Sequence, residues 1–304
     1  MEILKNKFLV FGGIFAIFSV ILWSFVSVIL PQPFKIAFLD VGQGDSILIR
    51  TREGKNVLID GGPDKSVLYK LEKHLPWYDR TIDAMILTHP HADHLIGLIE
   101  TAKRYDVKRI ISTGVVHTTP EYLEWLNLIK EKKIPAEPFK KGDRLMLDNG
   151  ISMTALWPEG SLVGERVDDL NNSSLALLLQ TPNEKILLMG DAQEEIEKNL
   201  IQNYSSIKRS SEKRVNAGNL DIENITILKT GHHGSRFATS SEFLNAVKSK
   251  YAVISAGANN QFGHPHLDAL KRLHDSGAKI LRTDESGDII FTITKNGLLR
   301  QRLD

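Results

Sequence analysis

The feature that most constrains this chain is a histidine-rich cluster, Thr88-His89-Pro90-His91-Ala92-Asp93-His94. It follows the run from Ile82 to Leu87, which is apolar apart from one aspartate and predicts a buried strand. The first two histidines are two residues apart, so in an extended segment they point the same way. We expect Pro90 to exclude a regular helix start, which leaves the aspartate and the last histidine on the same loop. Such a set of imidazole and carboxylate groups suits zinc, manganese, iron or cobalt.

Polar side chains of ligand type also stand at the ends of other predicted strands. They are Asp60, Asn172, Asp191 and the pair His232 and His233. Taken singly, each aspartate fits a turn or a helix cap, and the histidine pair fits a cap or a core position. Taken together with the histidine cluster, they predict a metal centre where several strand ends meet. The chain has no cysteine, so any metal must be held by nitrogen and oxygen ligands.

The amino terminus contains 23 uncharged residues, from Phe8 to Leu30, preceded by Lys5 and Lys7. This length suits a transmembrane helix, and the lysines place the amino terminus in the cytoplasm. The alternative is a cleaved signal peptide, but Ser27-Val28-Ile29 is a poor cleavage site. We therefore expect residues 1–30 to form a cytoplasmic stub and a single-pass anchor in the cell membrane, with the rest of the chain extracytoplasmic.

Residues 31–304 show many short strands interleaved with helices, in two successive halves, which predicts an α/β fold. The formal net charge of the chain is only +1. A sequence-independent nucleic-acid binder is usually more basic, so any nucleic acid would have to contact a local patch. Such a patch could be formed by the basic residues of the segment 204–219 together with Lys130, Lys132, Lys133, Lys140 and Lys141. The alternative is that they form ordinary solvated surface.

The motif His89-x-His91-x-Asp93-His94 resembles the signature of the metallo-β-lactamase superfamily, and the chain is similar to the hydrolase domain of ComEC/Rec2-type competence proteins. Matching segments follow in the family's order over about residues 34–294: Phe38-Leu39-Asp40-Val41-Gly42-Gln43-Gly44-Asp45-Ser46, Ile59-Asp60-Gly61-Gly62, Asn171-Asn172-Ser173-Ser174-Leu175, Met189-Gly190-Asp191, Leu228-Lys229-x-x-His232-His233-Gly234-Ser235, Gly263-His264-Pro265-His266 and Arg282-Thr283-Asp284. The resemblance implies an αββα sandwich over residues 31–304, with two divalent metal ions, zinc or manganese, at one sheet edge.

The resemblance also implies most of the ligand set. His89 and His91 are expected to bind one metal ion, and Asp93 and His94 the other. Asp191 is expected to bridge the two ions.

Two ligand positions are less sharply defined. His232 is expected to be the last ligand, with His233 beside it for phosphate or leaving-group contact, although spacing does not separate the two. Many superfamily members have a third histidine on the first metal, where this chain has Asn172. Because an amide oxygen is a weaker ligand than imidazole, we expect the first site to be the looser one.

The mechanism expected from this set is metal-assisted hydrolysis. Two neighbouring cations lower the pKa of a bridging water and neutralise phosphodiester oxygens, and Asp93 and Asp191 are expected to orient that water. His233 and His264 are candidate proton donors to the leaving group, because a histidine near its reference pKa of ~6.5 can serve as an acid. Asp45, in a glycine-rich loop, is expected to orient a ligand or the water.

The resemblance implies a nuclease that acts on DNA outside the membrane. With one predicted span, the sequence predicts a hydrolase tethered to the membrane rather than a DNA channel. One alternative is a phosphoesterase that acts on cell-wall or lipid head groups. A non-enzymatic alternative is an anchored DNA-binding module with a vestigial site.

Overall fold

The computed structural model describes residues 12–20, 33–211, 221–294 and 297–301. Residues 12–20 are helical. Among the described residues, no helix combines the length and the apolar character needed to cross a bilayer. The other residues of the predicted span Phe8–Leu30 lie outside the described ranges.

Seventeen strands are present in the described ranges. Their bounds are β1 Phe34–Phe38, β2 Ile47–Arg50, β3 Asn56–Ile59, β4 Thr81–Ile82, β5 Ala84–Ile86, β6 Asp106–Val107, β7 Ile110–Ser112, β8 Ala136–Pro138, β9 Arg144–Asp148, β10 Ile151–Trp157, β11 Ala176–Gln180, β12 Lys185–Leu188, β13 Ile227–Lys229, β14 Tyr251–Ile254, β15 Lys279–Arg282, β16 Ile289–Thr294 and β17 Gly297–Gln301. Most are short and apolar, as expected for strands buried on both faces.

Helices follow many of these strands and cover the sheets. From residue 33 onward, the described helices are α1 Ser66–His74, α2 Ala92–Arg104, α3 Pro120–Lys132, α4 Glu194–Ser211, α5 Ser241–Val247, α6 Leu267–Asp275 and α7 Thr283–Ser286. Two 3₁₀ turns, Asn171–Ser173 and Gly231–Gly234, stand beside strand ends.

The strands form two large sheets with one core between them. The first sheet has the order β17-β16-β1-β2-β3-β5-β7-β8, and the second has the order β15-β14-β13-β12-β11-β10-β9. Phe34, Phe291 and Leu177 belong to the apolar layer shared by the two sheets. A second cluster packs α1, α2 and α3 against the first sheet, and a third packs α4, α5 and α6 against the second. This is the αββα sandwich that the resemblance implied.

The carboxyl ends of the parallel strands meet at one edge of the sandwich. In the first sheet β3 and β5 are parallel, and in the second β12, β13 and β14 are parallel. Strand β11 is antiparallel to β12, so it begins at this same edge. The loops after β3, β5, β12 and β13, and the turn before β11, therefore carry their polar residues to one place.

A buried carboxylate fixes the loop that follows β1. The side chain of Asp288 accepts hydrogen bonds from the backbone N–H of Asp40, at 2.9 Å, and from Nζ of Lys70, at 2.7 Å. It also pairs with Nε2 of His74 at 2.8 Å. Burial raises the pKa of Asp288, but the bonds from His74, Lys70 and Asp40 lower it by more, so the pKa lies well below its ordinary value. The ionised carboxylate thus ties α1 and β16 to the start of the glycine-rich loop.

Candidate metal centre

The histidine cluster does not form a simple loop. Helix α2 begins at Ala92, with His91 extended just before it, so Asp93 and His94 lie in its first turn. The expectation that Pro90 would exclude a helix start here was wrong. A proline just before a helix removes no hydrogen bond, because the first N–H groups of a helix have no partner within it. The first turn also carries positive partial charge, which favours the Asp93 carboxylate.

Asp60 orients His94. Its Oδ2 accepts hydrogen bonds from Nδ1 of His94, at 2.8 Å, and from Oγ1 of Thr88, at 2.7 Å. Its Oδ1 accepts a hydrogen bond from the backbone N–H of Thr88 at 2.9 Å. With Nδ1 of His94 bonded to Asp60, the lone pair of Nε2 faces the other way. This is the arrangement in which a metal-binding histidine is held by a second group.

His233 is held in the same manner from the second half of the chain. Its Nδ1 donates to the backbone oxygen of Ser255 at 3.0 Å. Its Nε2 lies 3.3 Å from Oδ2 of Asp93 and 3.3 Å from Oδ2 of Asp191. His232, by contrast, is half-buried, and its Nε2 is 4.0 Å from Oδ2 of Asp191. The geometry therefore favours His233 over His232 as the last ligand, which reverses the preference drawn from the sequence.

Asp191 stands at the centre of the cluster. Its Oδ2 is 3.4 Å from Nε2 of His94 and 3.8 Å from Nε2 of His89, in addition to its contact with His233. Among the described residues, four overlapping groups have donor atoms close enough to share an ion, and Asp191 belongs to two of them: one with His89 and His94, the other with Asp45 and His233. The bridging role expected for Asp191 stays a prediction, and its position beside the rings of His89, His94 and His233 is compatible with that role.

His89 and His91 face each other beside this centre. Nε2 of His89 lies 3.0 Å from Nδ1 of His91, and Nδ1 of His89 lies 3.1 Å from Oγ of Ser174. Burial lowers the pKa of both histidines, and the neighbouring His94 adds to the effect. Both are therefore neutral at neutral pH, which is the form that binds metal.

The amide expected to complete the first site is not the one that faces the centre. Asn172 contacts Asp169 and Glu195 through Nδ2, and its Oδ1 accepts from the Gln193 N–H at 3.2 Å. Asn171 lines the cleft instead, and its Oδ1 is buried with no hydrogen-bond partner. The two residues belong to a tight 3₁₀ turn, in which neighbouring side chains point in different directions. Asn171 is therefore the better candidate for the weak ligand.

Asp45 acts through His233 rather than in the cleft. The carboxylate is almost fully buried, forms an ion pair with the buried Lys229, and lies 3.3 Å from Nδ1 of His233. Burial raises the pKa of Asp45, but Lys229 and His233 lower it by more, so it is ionised. Lys229 was not predicted to have a role, although a lysine at the end of an apolar strand is a usable signal.

His264 stands beside the cleft in neutral form. Burial and the neighbouring His233 and His232 lower its pKa to about 4. Gln43 uses its Oε1 to accept from the Gly257 N–H at 3.2 Å, so its amide nitrogen faces Nδ1 of His264 at 3.4 Å. The ring proton of His264 is therefore on Nε2. At neutral pH this Nε2–H group is available as a hydrogen-bond donor, but the ring does not hold the extra proton expected from the sequence.

An open cleft of about 450 Å³ gives access to the centre. The residues that line it are Gln43, Pro63, His91, Ala92, Asp93, Asn171, Asp191, His232 and Phe262. Two of the lysines proposed as a basic patch have structural partners: Lys132 donates to the Ala102 carbonyl, and Lys141 pairs with Glu159. Residues 212–219 of that patch lie outside the described ranges.

The donor set fits divalent metal ions. Nε2 of His94, Nε2 of His233 and Oδ1 of Asp191 are buried without a hydrogen-bond partner. Buried polar atoms normally have partners, so atoms of this type that converge from separate elements indicate a ligand. Burial lowers the pKa of His94, but Asp191 and Asp60 raise it by more, and Asp191 raises the pKa of His233 in the same way. The carboxylates thus attract positive charge, which protons or metal ions can supply.

Comparison with known proteins gives matches along most of the chain. The model of the metallo-beta-lactamase superfamily matches residues 39–258. ComE operon protein 3 of Bacillus subtilis is 29% identical over 94% of this chain and 36% of its own length. Competence protein ComA of Neisseria gonorrhoeae is 29% identical over 87% of this chain and 33% of its own length. Recombination protein 2 of Haemophilus influenzae is 27% identical over 92% of this chain and 31% of its own length. The chain thus spans about a third of the length of these relatives.

Solved structures share the fold. The metallo-beta-lactamase fold protein YhfI from Bacillus subtilis has a TM-score of 0.53 and 12% identity, covering 89% of this chain and all of that one. CmlA, a diiron beta-hydroxylase from Streptomyces venezuelae, has a TM-score of 0.53 and 14% identity, covering 90% of this chain and 55% of that one. At such low identity these likenesses concern the fold alone.

Metal affinity should rise with pH. Because the folded protein raises the pKa of His94 and His233, protons compete with the metal at low pH and leave as pH increases. We expect the affinity for Mn²⁺ or Zn²⁺ to increase between pH 6 and pH 8 by about tenfold per pH unit for each proton displaced. Calorimetric titration in buffers of different ionisation enthalpy measures both quantities. A His274→Ala variant, altered at an exposed histidine on α6, should behave as wild type, and pH-independent affinity would contradict this account.

Proposed function

The chain belongs to the metallo-β-lactamase superfamily and is a metal-dependent hydrolase related to competence proteins, and we propose that it hydrolyses phosphodiester bonds in DNA. One observation carries the proposal. Histidine and carboxylate donors from both halves of the chain converge on Asp191 at the floor of an open cleft, with buried atoms left unpaired. This arrangement supports an intact hydrolytic site and disfavours a vestigial one.

DNA is favoured as the substrate by the relatives. Two of them are named competence protein ComA and recombination protein 2, and all three relatives match 87% or more of this chain. A pair of divalent cations suits a phosphodiester, because it neutralises non-bridging oxygens and lowers the pKa of the attacking water. Zinc or manganese fits the nitrogen and oxygen donors of this site.

The protein's own residues have separate tasks in this reaction. His89, His91 and Asn171 would hold one ion, and Asp93, His94 and His233 the other, with Asp191 shared between them. Asp60 fixes the ring of His94, while Ser255 and Asp45 fix the ring of His233. Ligands held in this way keep their geometry without reorganising during the reaction.

His264 and His232, beside the cleft, would contribute to the reaction as neutral imidazoles. The proton on Nε2 of the neutral His264 is available to a phosphate oxygen as a hydrogen bond. His232, which lines the cleft, also has a lowered pKa, mainly because of burial. At neutral pH both rings act as neutral hydrogen-bonding groups.

The nuclease assignment predicts a specific activity pattern. The full-length protein should cleave single-stranded DNA and bis-p-nitrophenyl phosphate in Mn²⁺, and EDTA should abolish both activities. Asp191→Asn should lower kcat/KM by at least about a hundredfold on both substrates, since it removes a charged group at the reacting centre. Asp106→Asn, at an exposed site, serves as the matched control.

The outcomes separate the alternatives. Cleavage of the small diester without cleavage of DNA would reject the nuclease assignment and favour a phosphoesterase for cell-wall or lipid head groups. Full activity in Asp191→Asn would show that the centre is misplaced. Cleavage of neither substrate, with no metal retained, would favour the vestigial module.

We also propose that Phe8–Leu30 anchors the protein in the cell membrane and that the catalytic domain lies outside. The uncharged length and the preceding lysines support this assignment. Strand β1 begins at Phe34 and runs toward the glycine-rich loop of the centre, so the cleft lies at the end of the first sheet opposite Phe34.

The anchor has a direct test in cells that express the full chain. The protein should stay in the membrane fraction after washing with alkaline carbonate, and its intact mass should include residues 1–30. Protease added to spheroplasts should digest the catalytic domain. Release by carbonate, a mass that lacks the first thirty residues, or protection from protease would each contradict part of the assignment.

A further inference from the structure

An exposed aromatic ring forms part of the cleft wall. Phe262 lies in the loop after β14 and lines the cleft together with His91, Asp93 and Asp191. More than half of its surface, 54%, is exposed. Phe262 belongs to none of the apolar clusters that pack the described residues, and its ring contacts the imidazole of His264. The ring therefore stands next to the reacting centre with much of its surface available for contact.

The loop that carries Phe262 is held in place by one side chain. Oδ1 of Asn260 accepts from the N–H of Phe262 at 3.1 Å and from the N–H of His264 at 3.0 Å. Nδ2 of Asn260 donates to the carbonyl oxygens of Gly257 and His264. These four bonds bridge the loop internally, so the position of Phe262 is set before any ligand arrives.

The ring is also supported from the side. Phe262 stacks on the imidazole of His264, with centroids 5.9 Å apart and planes inclined by 22°. His264 is fixed by Gln43 from the first half of the chain, which also bonds to Gly257. A ring supported in this way loses little conformational entropy when a second flat group packs on it.

We propose that Phe262 is a stacking position for a nucleobase next to the scissile phosphate. The inference deepens the proposed function and rests on it, because it places a base of the substrate against the ring while the phosphate faces the metal ions that Asp93 and Asp191 would hold. Base–aromatic stacking tolerates any base sequence, since every base has a π-face. The chain's net charge of +1 makes such a contact valuable, because general attraction to the DNA backbone is weak.

The composition of the cleft favours a base over a lipid. Three of its lining residues, Phe262, Pro63 and Ala92, have apolar side chains, and the other lining residues have polar side chains that interrupt the apolar surface. An acyl chain requires a continuous apolar groove, whereas a nucleotide needs one flat apolar contact and several polar ones. The volume of about 450 Å³ lies in the range of pockets that hold molecules of this size.

Binding of small probes tests the inference without turnover. Calorimetry on the full-length protein in Mn²⁺ would compare 2′-deoxyadenosine 5′-monophosphate with 2-deoxyribose 5-phosphate, which differ only by the base. The wild type should bind the nucleotide about tenfold more tightly. Phe262→Ala should lose this preference, and Phe262→Trp should keep it. Trp77→Ala is the matched control, because Trp77 is 86% exposed and lies near Asp79, which bonds to Asn56 at the far end of the first sheet.

The results distinguish this inference from the proposed function. Equal affinity for the two probes in the wild type, or a preference that survives in Phe262→Ala, would overturn the stacking position even if DNA is cleaved. A preference that depends on Phe262, in a protein that cleaves no DNA, would uphold the stacking position and reject the nuclease assignment. A loss of preference in Trp77→Ala as well would show a nonspecific effect and overturn the inference.

Discussion

Buried negative charge is the constraint on which the site depends. Asp45, Asp60 and Asp191 are each at most 2% exposed, and a carboxylate in such a place must be paired or must bind a cation. Lys229 compensates the charge of Asp45 through an ion pair. Asp60 bonds to His94 and Thr88, and Asp191 contacts His94 and His233. The remaining charge requires either protonated histidines or metal ions, so the same groups couple metal binding to pH.

Close backbone approaches make this concentration of charge achievable. A Cβ on Gly44 would lie 2.2 Å from the carbonyl oxygen of Asp93, and one on Gly97 would lie 1.8 Å from the carbonyl oxygen of Gly61. Only glycine fits at these contacts, where the loops after β1 and β3 meet helix α2. Asp60, His232 and His233 also have positive φ, which is costly for residues with side chains and is typical of functional sites. Backbone packing thus places the ligands. Metal binding would offset part of the conformational strain at these positive-φ residues.

Much of the site was predictable from the sequence, because ligand residues follow apolar runs whose ends meet at a sheet edge. That rule located the cluster after β5, and it located Asp191 after β12. The rule could not choose between two adjacent residues whose side chains point in different directions, as for His232 and His233 or for Asn171 and Asn172. It also missed Lys229, whose role depends on a partner in the other half of the chain. The αββα layers of the fold followed from the resemblance. Strands β8 and β17 were not predicted, because their sequences show little apolar alternation, and all three residues of β8 are exposed.

We propose a two-metal centre that takes ligands from both halves of the chain, with His233 as the last ligand. Metal content after loading with Mn²⁺ or Zn²⁺ and gel filtration tests this claim most directly, in wild type, His233→Ala and His232→Ala. We expect two ions per chain in wild type and in His232→Ala, and at most one in His233→Ala. Two ions in His233→Ala together with loss of an ion in His232→Ala, or no retained metal in wild type, would contradict it.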